Sequence, residues 1–219
     1  MRRIKFIAAA LVFARAIPQI LRIVASAVLL AVISVVCAFG QPHPKTVTEL
    51  YLALPDGIHG IQGTQDVEIP GFEDDFFFYS NQRTESRSSI LKYRKSLIKI
   101  EDIKNGYLRL ESKEWEGWVE IALFKKSDGS YLVALSQVAC GPGCSGGVIF
   151  STYKSGNWKN VTNQVFPGSS QRGYYKLPRF GTTIALVCGD DGGESCHDGE
   201  TLAKFQWNKD KFVKESAAR

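Results

Sequence analysis

Trp118-Val119-Glu120-Ile121-Ala122-Leu123-Phe124-Lys125-Lys126-Ser127-Asp128-Gly129-Ser130-Tyr131-Leu132-Val133-Ala134-Leu135 reads as a β-hairpin. Two runs rich in β-branched and aromatic residues flank Asp128-Gly129, a dipeptide that accepts positive φ at low cost and turns the chain between antiparallel strands. The pattern recurs outward. Asn105-Gly106 stands between residues 100–103 and 107–110, and Ser155-Gly156-Asn157 between 148–153 and 158–161. Residues 208–211 separate 202–207 from 212–213 in the same way, and 183–187 adds another apolar run. Eight or nine strands after residue 100, joined mainly by short turns, imply antiparallel neighbours.

Upstream the period changes to that of a helix. Thr46-Val47-Thr48-Glu49 matches a capping box, in which the threonine hydroxyl and the glutamate carboxylate cover free amides at a helix start. Val47, Leu50, Tyr51 and Leu54 follow at helical spacing, and Pro55 and Gly57 stop the helix. A second helix is expected over residues 86–98, with Ile90, Leu91, Leu97 and Ile98 inward and Arg87, Lys92, Arg94 and Lys95 outward. Between them, residues 56–85 read as irregular, apart from a buried strand at Phe76-Phe77-Phe78-Tyr79. The expected fold class is α+β: short N-terminal helices followed by a predominantly antiparallel β meander.

Residues 1–40 differ from all of this. Arg2, Arg3, Lys5, Arg15 and Arg22 precede an uncharged apolar run of 17 residues, 23–39, with the small residues Ala38 and Gly40 at its end. A basic stretch, an apolar run and small residues make the pattern of a secretory signal, with cleavage expected after Gly40. An uncleaved anchor is the competing reading, because 17 residues is the lower limit for spanning a bilayer. Membrane contact is expected only through this leader, if it is retained. Residues 41–219 are then a single β-rich domain, periplasmic or extracellular.

The leader also accounts for the basic balance of the chain. Of 27 Lys and Arg, five lie in it, which leaves 22 against 22 Asp and Glu, so the remainder is neutral. Phosphate binding requires a basic footprint, and nucleic acid is therefore not an expected partner. Losing Cys37 with the leader leaves Cys140, Cys144, Cys188 and Cys196. An even number of cysteines in an exported chain reads as two disulfides.

Those cysteines bracket the most distinctive stretches, Cys140-Gly141-Pro142-Gly143-Cys144 and Cys188-Gly189-Asp190-Asp191-Gly192-Gly193-Glu194-Ser195-Cys196. Glycine and proline let each loop fold back on itself, and local closure is the expectation. Closing five residues gains about 2 kcal/mol on the chain-entropy account, nine about 2.5, and crossed pairing over some fifty residues about 4. Three connectivities remain open on sequence alone. The C-terminal half also carries a degenerate repeat: strand, cysteine loop, strand, turn and aromatic strand occur twice, with Tyr153 and Phe205 each nine residues after the second cysteine. Two such units are expected as paired hairpins in one sheet.

Asn105-Gly106-Tyr107-Leu108, Ala122-Leu123-Phe124-Lys125-Lys126, Asp128-Gly129, Leu132-Val133-Ala134 and Gly156-Asn157-Trp158 together resemble a pattern of uncharacterised exported bacterial β-rich proteins, over roughly residues 98–166. The resemblance implies no activity.

No catalytic constellation rises above background. Gly143-Cys144-Ser145-Gly146-Gly147 fits G-x-S-x-G, and Asp191 and His197 follow in hydrolase order, but a nucleophile elbow needs a helix after the serine and residues 148–153 are strand-like. A thiol enzyme would use His197 with a cysteine, which oxidation removes. Glu111, Glu114, Glu116 and Glu120 near Trp115 and Trp118 are the residue types of a glycosidase or a sugar-stacking surface. Zinc could use the cysteines with His197, though only Cys140/Cys144 has the usual spacing. Calcium is the cation that suits the acidic loop over residues 188–200, where Asp190, Asp191, Glu194, Asp198 and Glu200 supply oxygens without EF-hand spacing. The leading expectation is an exported, non-catalytic binding domain, without a cofactor, that engages a protein or glycan through its cysteine loops. A secreted hydrolase and a calcium- or zinc-dependent module are the alternatives.

Overall fold

The computed structural model describes residues 46–55, 61–62, 86–113, 116–168, 173–189 and 196–216, all within one unit, Pro44–Arg219. The leader, the aromatic run 76–79, Glu114, Trp115, Asp190, Asp191 and Glu194 lie outside the described residues. Helix α1 (Val47–Leu52) begins at Thr46 with the capping box the sequence predicts: the Thr46 hydroxyl accepts the Glu49 amide and the Glu49 carboxylate accepts the Thr46 amide. Helix α2 (Arg87–Ser96) starts at Ser86, whose hydroxyl accepts the Ser89 amide. Ten strands follow: β1 (Ile98–Asp102), β2 (Tyr107–Leu110), β3 (Gly117–Lys125), β4 (Tyr131–Cys140), β5 (Cys144–Lys154), β6 (Asn157–Asn160), β7 (Tyr174–Lys176), β8 (Thr183–Val187), β9 (Thr201–Asn208) and β10 (Lys211–Lys214). A four-residue helix α3 (Thr162–Val165) separates β6 from β7.

The strands form two sheets, one in the order β1-β2-β3-β4-β5-β6 and one in the order β10-β9-β8-β7, with every strand pair antiparallel. The first is a meander of adjacent hairpins, and its turns fall where the dipeptides place them: Gly106, Gly129 and Gly156 have φ of 65°, 82° and 87°. Alternation along the strands gives the first sheet two apolar faces. Leu108, Leu110, Val119, Ile121, Val133, Leu135 and Ile149 pack under Val47, Leu50, Tyr51 and Leu54 of the α1 segment. Ala122, Phe124, Leu132, Ala134, Val148 and Phe150 pack against Tyr175, Ile184, Leu186, Phe205, Trp207 and Phe212 of the second sheet. The described residues form a three-layer α+β stack, predominantly antiparallel β.

Two expectations change. Arg94 does not face solvent: it is 3% exposed, and its guanidinium donates to the carbonyls of Leu54 (2.6 Å), Pro55 (2.8 Å) and Leu52 (3.4 Å). It closes the carboxyl end of α1, whose last carbonyls have no partner within the helix. The repeated units are also not in one sheet. β4-loop-β5-turn-β6 belongs to the first and β8-loop-β9-turn-β10 to the second. Register fixes the equivalence that spacing misjudged: Tyr153 pairs with Trp158, and Trp207, not Phe205, pairs with Phe212, each one step before a two-residue turn.

Strand β7, which the sequence reading does not contain, edges the second sheet. Its outer side crosses β5, β4 and β3 in turn. The Gly173 carbonyl accepts the Gly146 amide (3.1 Å), the Tyr175 carbonyl accepts the Ser136 hydroxyl, and the Leu177 amide donates to Glu120 Oε2 (2.6 Å). Backbone groups that an edge strand leaves unpaired are thus taken up by the opposing sheet.

Candidate functional site

Both cysteine loops close locally. Cys140 and Cys144 are opposed in the β4–β5 register and joined by a disulfide, so the crosslink ties the end of a hairpin whose tip is Gly141-Pro142-Gly143. Inside the tip, Gly141 N–H donates to the Gly143 carbonyl (2.8 Å). Cys188 and Cys196 form the second disulfide. The base of that loop is held by backbone bonds: Cys188 N–H to the Glu200 carbonyl (2.8 Å) and Gly199 N–H to the Cys188 carbonyl (3.0 Å).

The two loops touch. A β-carbon on Gly189 would stand 1.5 Å from the Cys144 carbonyl oxygen, so only glycine lets the chain at the start of the second loop lie against Cys144. Cys140 N–H donates to the Glu116 carbonyl (2.6 Å), which brings the start of β3 to the same end of the stack. There the Arg109 guanidinium lies 4.6 Å over the Trp118 ring, within cation–π range, and its Nε donates to Glu111 Oε1 at 2.7 Å. The Tyr174 ring meets Trp118 edge to face, with centroids 5.4 Å apart. Burial, then the negative charges of Asp198 and Glu120, raise the Tyr174 hydroxyl above its ordinary pKa. Asp198 therefore belongs to this neighbourhood.

The other candidates are placed differently. His197 is exposed, and its backbone N–H donates to Glu200 Oε2 (3.1 Å). Ser145 is exposed on β5, opposite Ala139, and the chain runs on as strand to Lys154, so no helix follows the serine to supply an oxyanion donor. All four sulfurs are in disulfides, so none is a thiolate for catalysis or for zinc. Among the described residues no group of three or more His, Cys, Asp or Glu side chains is placed to hold a metal ion.

Among the described residues Glu120 is the buried carboxylate, 2% exposed. Oε1 accepts the Tyr107 hydroxyl (3.0 Å), Oε2 accepts the Leu177 amide, and Arg109 Nη1 is 4.0 Å away. Burial raises its pKa; the Leu177 amide, the Tyr107 hydroxyl, Arg109 and Lys176 act in the opposite direction. With both oxygens engaged and no access to solvent, it positions β7 and offers nothing to a substrate. Arg109 and Tyr174 escaped the sequence reading because their roles arise from pairing across strands distant in the chain.

No family model matches the chain, and no curated protein matches it. Among solved structures the chain is similar to a domain of an uncharacterized protein from Porphyromonas gingivalis W83, at 12% identity and a TM-score of 0.47, over 77% of this chain and 97% of that one.

Proposed function

We propose that this chain is an exported, non-catalytic binding module that engages a protein or glycan through the end of the stack carrying both disulfides. The observation that carries the reading is the contact of Gly189 with the Cys144 carbonyl, which brings the two disulfides to one end of the stack. A surface already ordered by crosslinks loses little conformational freedom on association. Trp118 and Tyr174 beside it supply aromatic area, Arg109 and Asp198 supply charge, and Gly141 and Pro142 project at the tip. Two disulfides suit an oxidising compartment, which supports export. Among the described residues no helix is long and apolar enough to cross a membrane.

The test is a glycan array and a displayed-protein panel probed with the wild-type chain and with Pro142→Glu and Asp198→Lys, two exposed changes that leave the core untouched. A ligand at this end loses at least tenfold in affinity with one or both, at unchanged melting temperature. A specific ligand that binds both variants as well as wild type overturns the assignment.

A further inference from the structure

A second surface, on α2 and the outer strands β1 and β2, carries unbalanced charge. Residues 86–113 hold eight Lys and Arg (87, 92, 94, 95, 99, 104, 109, 113) against three acids, Glu101, Asp102 and Glu111. The acids are all engaged: Asp102 takes Arg179 Nε at 2.9 Å, Glu111 takes Arg109 Nε at 2.7 Å, and Glu101 accepts the Thr48 hydroxyl. Arg94 is spent on backbone carbonyls. Arg87, Lys92 and Lys95 on α2, with Lys99 and Lys113 beyond it, are left exposed and without an ion pair among the described residues.

Where α2 ends, these side chains border an open cleft of about 440 Å³ lined by Tyr93, Ser96, Lys99, Glu111, Ser112 and Lys113. That volume suits a small ligand group. Two ammonium groups and two serines line it, and its single carboxylate is already neutralised by Arg109. Lysine acts as a flexible point charge, a mode in which it commonly binds phosphate. From Arg87 to Lys95 the cationic side chains run along about 12 Å of helix, further than one phosphoryl group reaches. Among the described residues the large exposed apolar ones, Ile103, Tyr131, Phe180, Leu202 and Val213, lie off this helix and cleft, an arrangement that favours a charged ligand over a lipid layer.

We infer that this face binds a phosphate-bearing polymer, with one phosphoryl group in the cleft between Lys99 and Lys113 and further anionic groups along α2. Arg109 and Glu111 border both surfaces, but the inference needs neither disulfide, and Pro142→Glu is expected to leave it intact.

Inorganic polyphosphate is the probe, titrated by fluorescence anisotropy or calorimetry against the full chain over a range of salt. The expected result is salt-dependent binding, weakened about tenfold or more by Lys99→Glu with Lys113→Glu. Lys204→Glu with Lys214→Glu, which makes the same charge change on the other sheet, is expected to alter it less than twofold. Equal loss in both pairs overturns the inference, because the attraction is then only net charge. So does heparin binding as tightly as polyphosphate, which removes the preference for phosphate. No binding of polyphosphate at low salt overturns it outright, and so does binding of phosphatidylglycerol vesicles without binding of polyphosphate.

Discussion

Glu120 on β3 accepts the amide of Leu177 at 2.6 Å, so a side chain of one sheet occupies the place where a further strand would pair with the edge of the other. Glu120→Ala strands that amide and the Tyr107 hydroxyl in an apolar interior. An unmet buried donor costs about 1–3 kcal/mol, and the variant is expected to lose about 2–4 kcal/mol in urea unfolding. Glu120→Gln keeps an acceptor for Leu177 and can donate to the Tyr107 oxygen, so its expected loss is under about 1 kcal/mol.

The same carboxyl sets a pH dependence. Its pKa in the folded state is raised from the ordinary 4.5 by burial, so the folded protein holds the proton more tightly than the unfolded chain. Its contribution to stability is fully present below the ordinary value and is lost as pH rises through the folded-state value. Asp102, Asp128 and Asp210 slope the other way, because hydrogen bonds lower their pKa values. The readout is therefore the difference between wild type and Glu120→Gln in unfolding free energy from pH 3 to 8. Wild type is expected to lose ground to the variant as pH rises; a constant difference would exclude this role.

Arg94 holds three carbonyls at the end of α1. Arg94→Ala leaves them unmet and opens a void, for an expected loss of about 2–3 kcal/mol in chemical denaturation. Arg94→Lys, with one compact ammonium in place of a planar fork, recovers only part of it.

Gly189 and Gly129 separate crowding from backbone strain. Gly129 has φ of 82° with nothing within 4 Å of an added β-carbon, and Gly129→Ala is expected to cost about 1–2 kcal/mol. Gly189→Ala drives a methyl into the Cys144 carbonyl and parts the two loops. A loss above about 3 kcal/mol is expected, read by thermal melting, together with increased hydrogen exchange at Cys140 to Ser145.

Each crosslink closes a short loop, so its removal is expected to be survivable. The Cys140→Ser/Cys144→Ser pair is expected to lose about 2 kcal/mol. The Cys188→Ser/Cys196→Ser pair loses about 2.5 kcal/mol from loop closure, and more because Cys188 is buried. Urea unfolding of the two double variants checks both values.

The meander was legible because turn chemistry and strand alternation are local. Asn105-Gly106, Asp128-Gly129 and Ser155-Gly156 need only neighbouring residues to turn the chain, and Thr46 and Glu49 cap α1 within one turn. What stayed hidden depends on partners far along the chain. Arg94 sits at a polar position of an amphipathic helix and gives no local sign that the end of another helix awaits it. Tyr174 to Lys176 is too short to show alternation, and its hold comes from Gly146, Ser136 and Glu120. Glu120 reads in sequence as one acid among several near tryptophans; only the crossing of β7 takes it out of water. The cysteine loops stood out by composition, but that they meet depends on Gly189 lying against a backbone 45 residues earlier.

Joining Cys140 to Cys144 and Cys188 to Cys196 has a consequence for how the protein matures. A chain that meets an oxidant N-terminus first presents Cys140 and Cys144 before Cys188 and Cys196 appear. Among these four sulfurs, joining in order of emergence already gives the native arrangement, which then calls for oxidation rather than for shuffling.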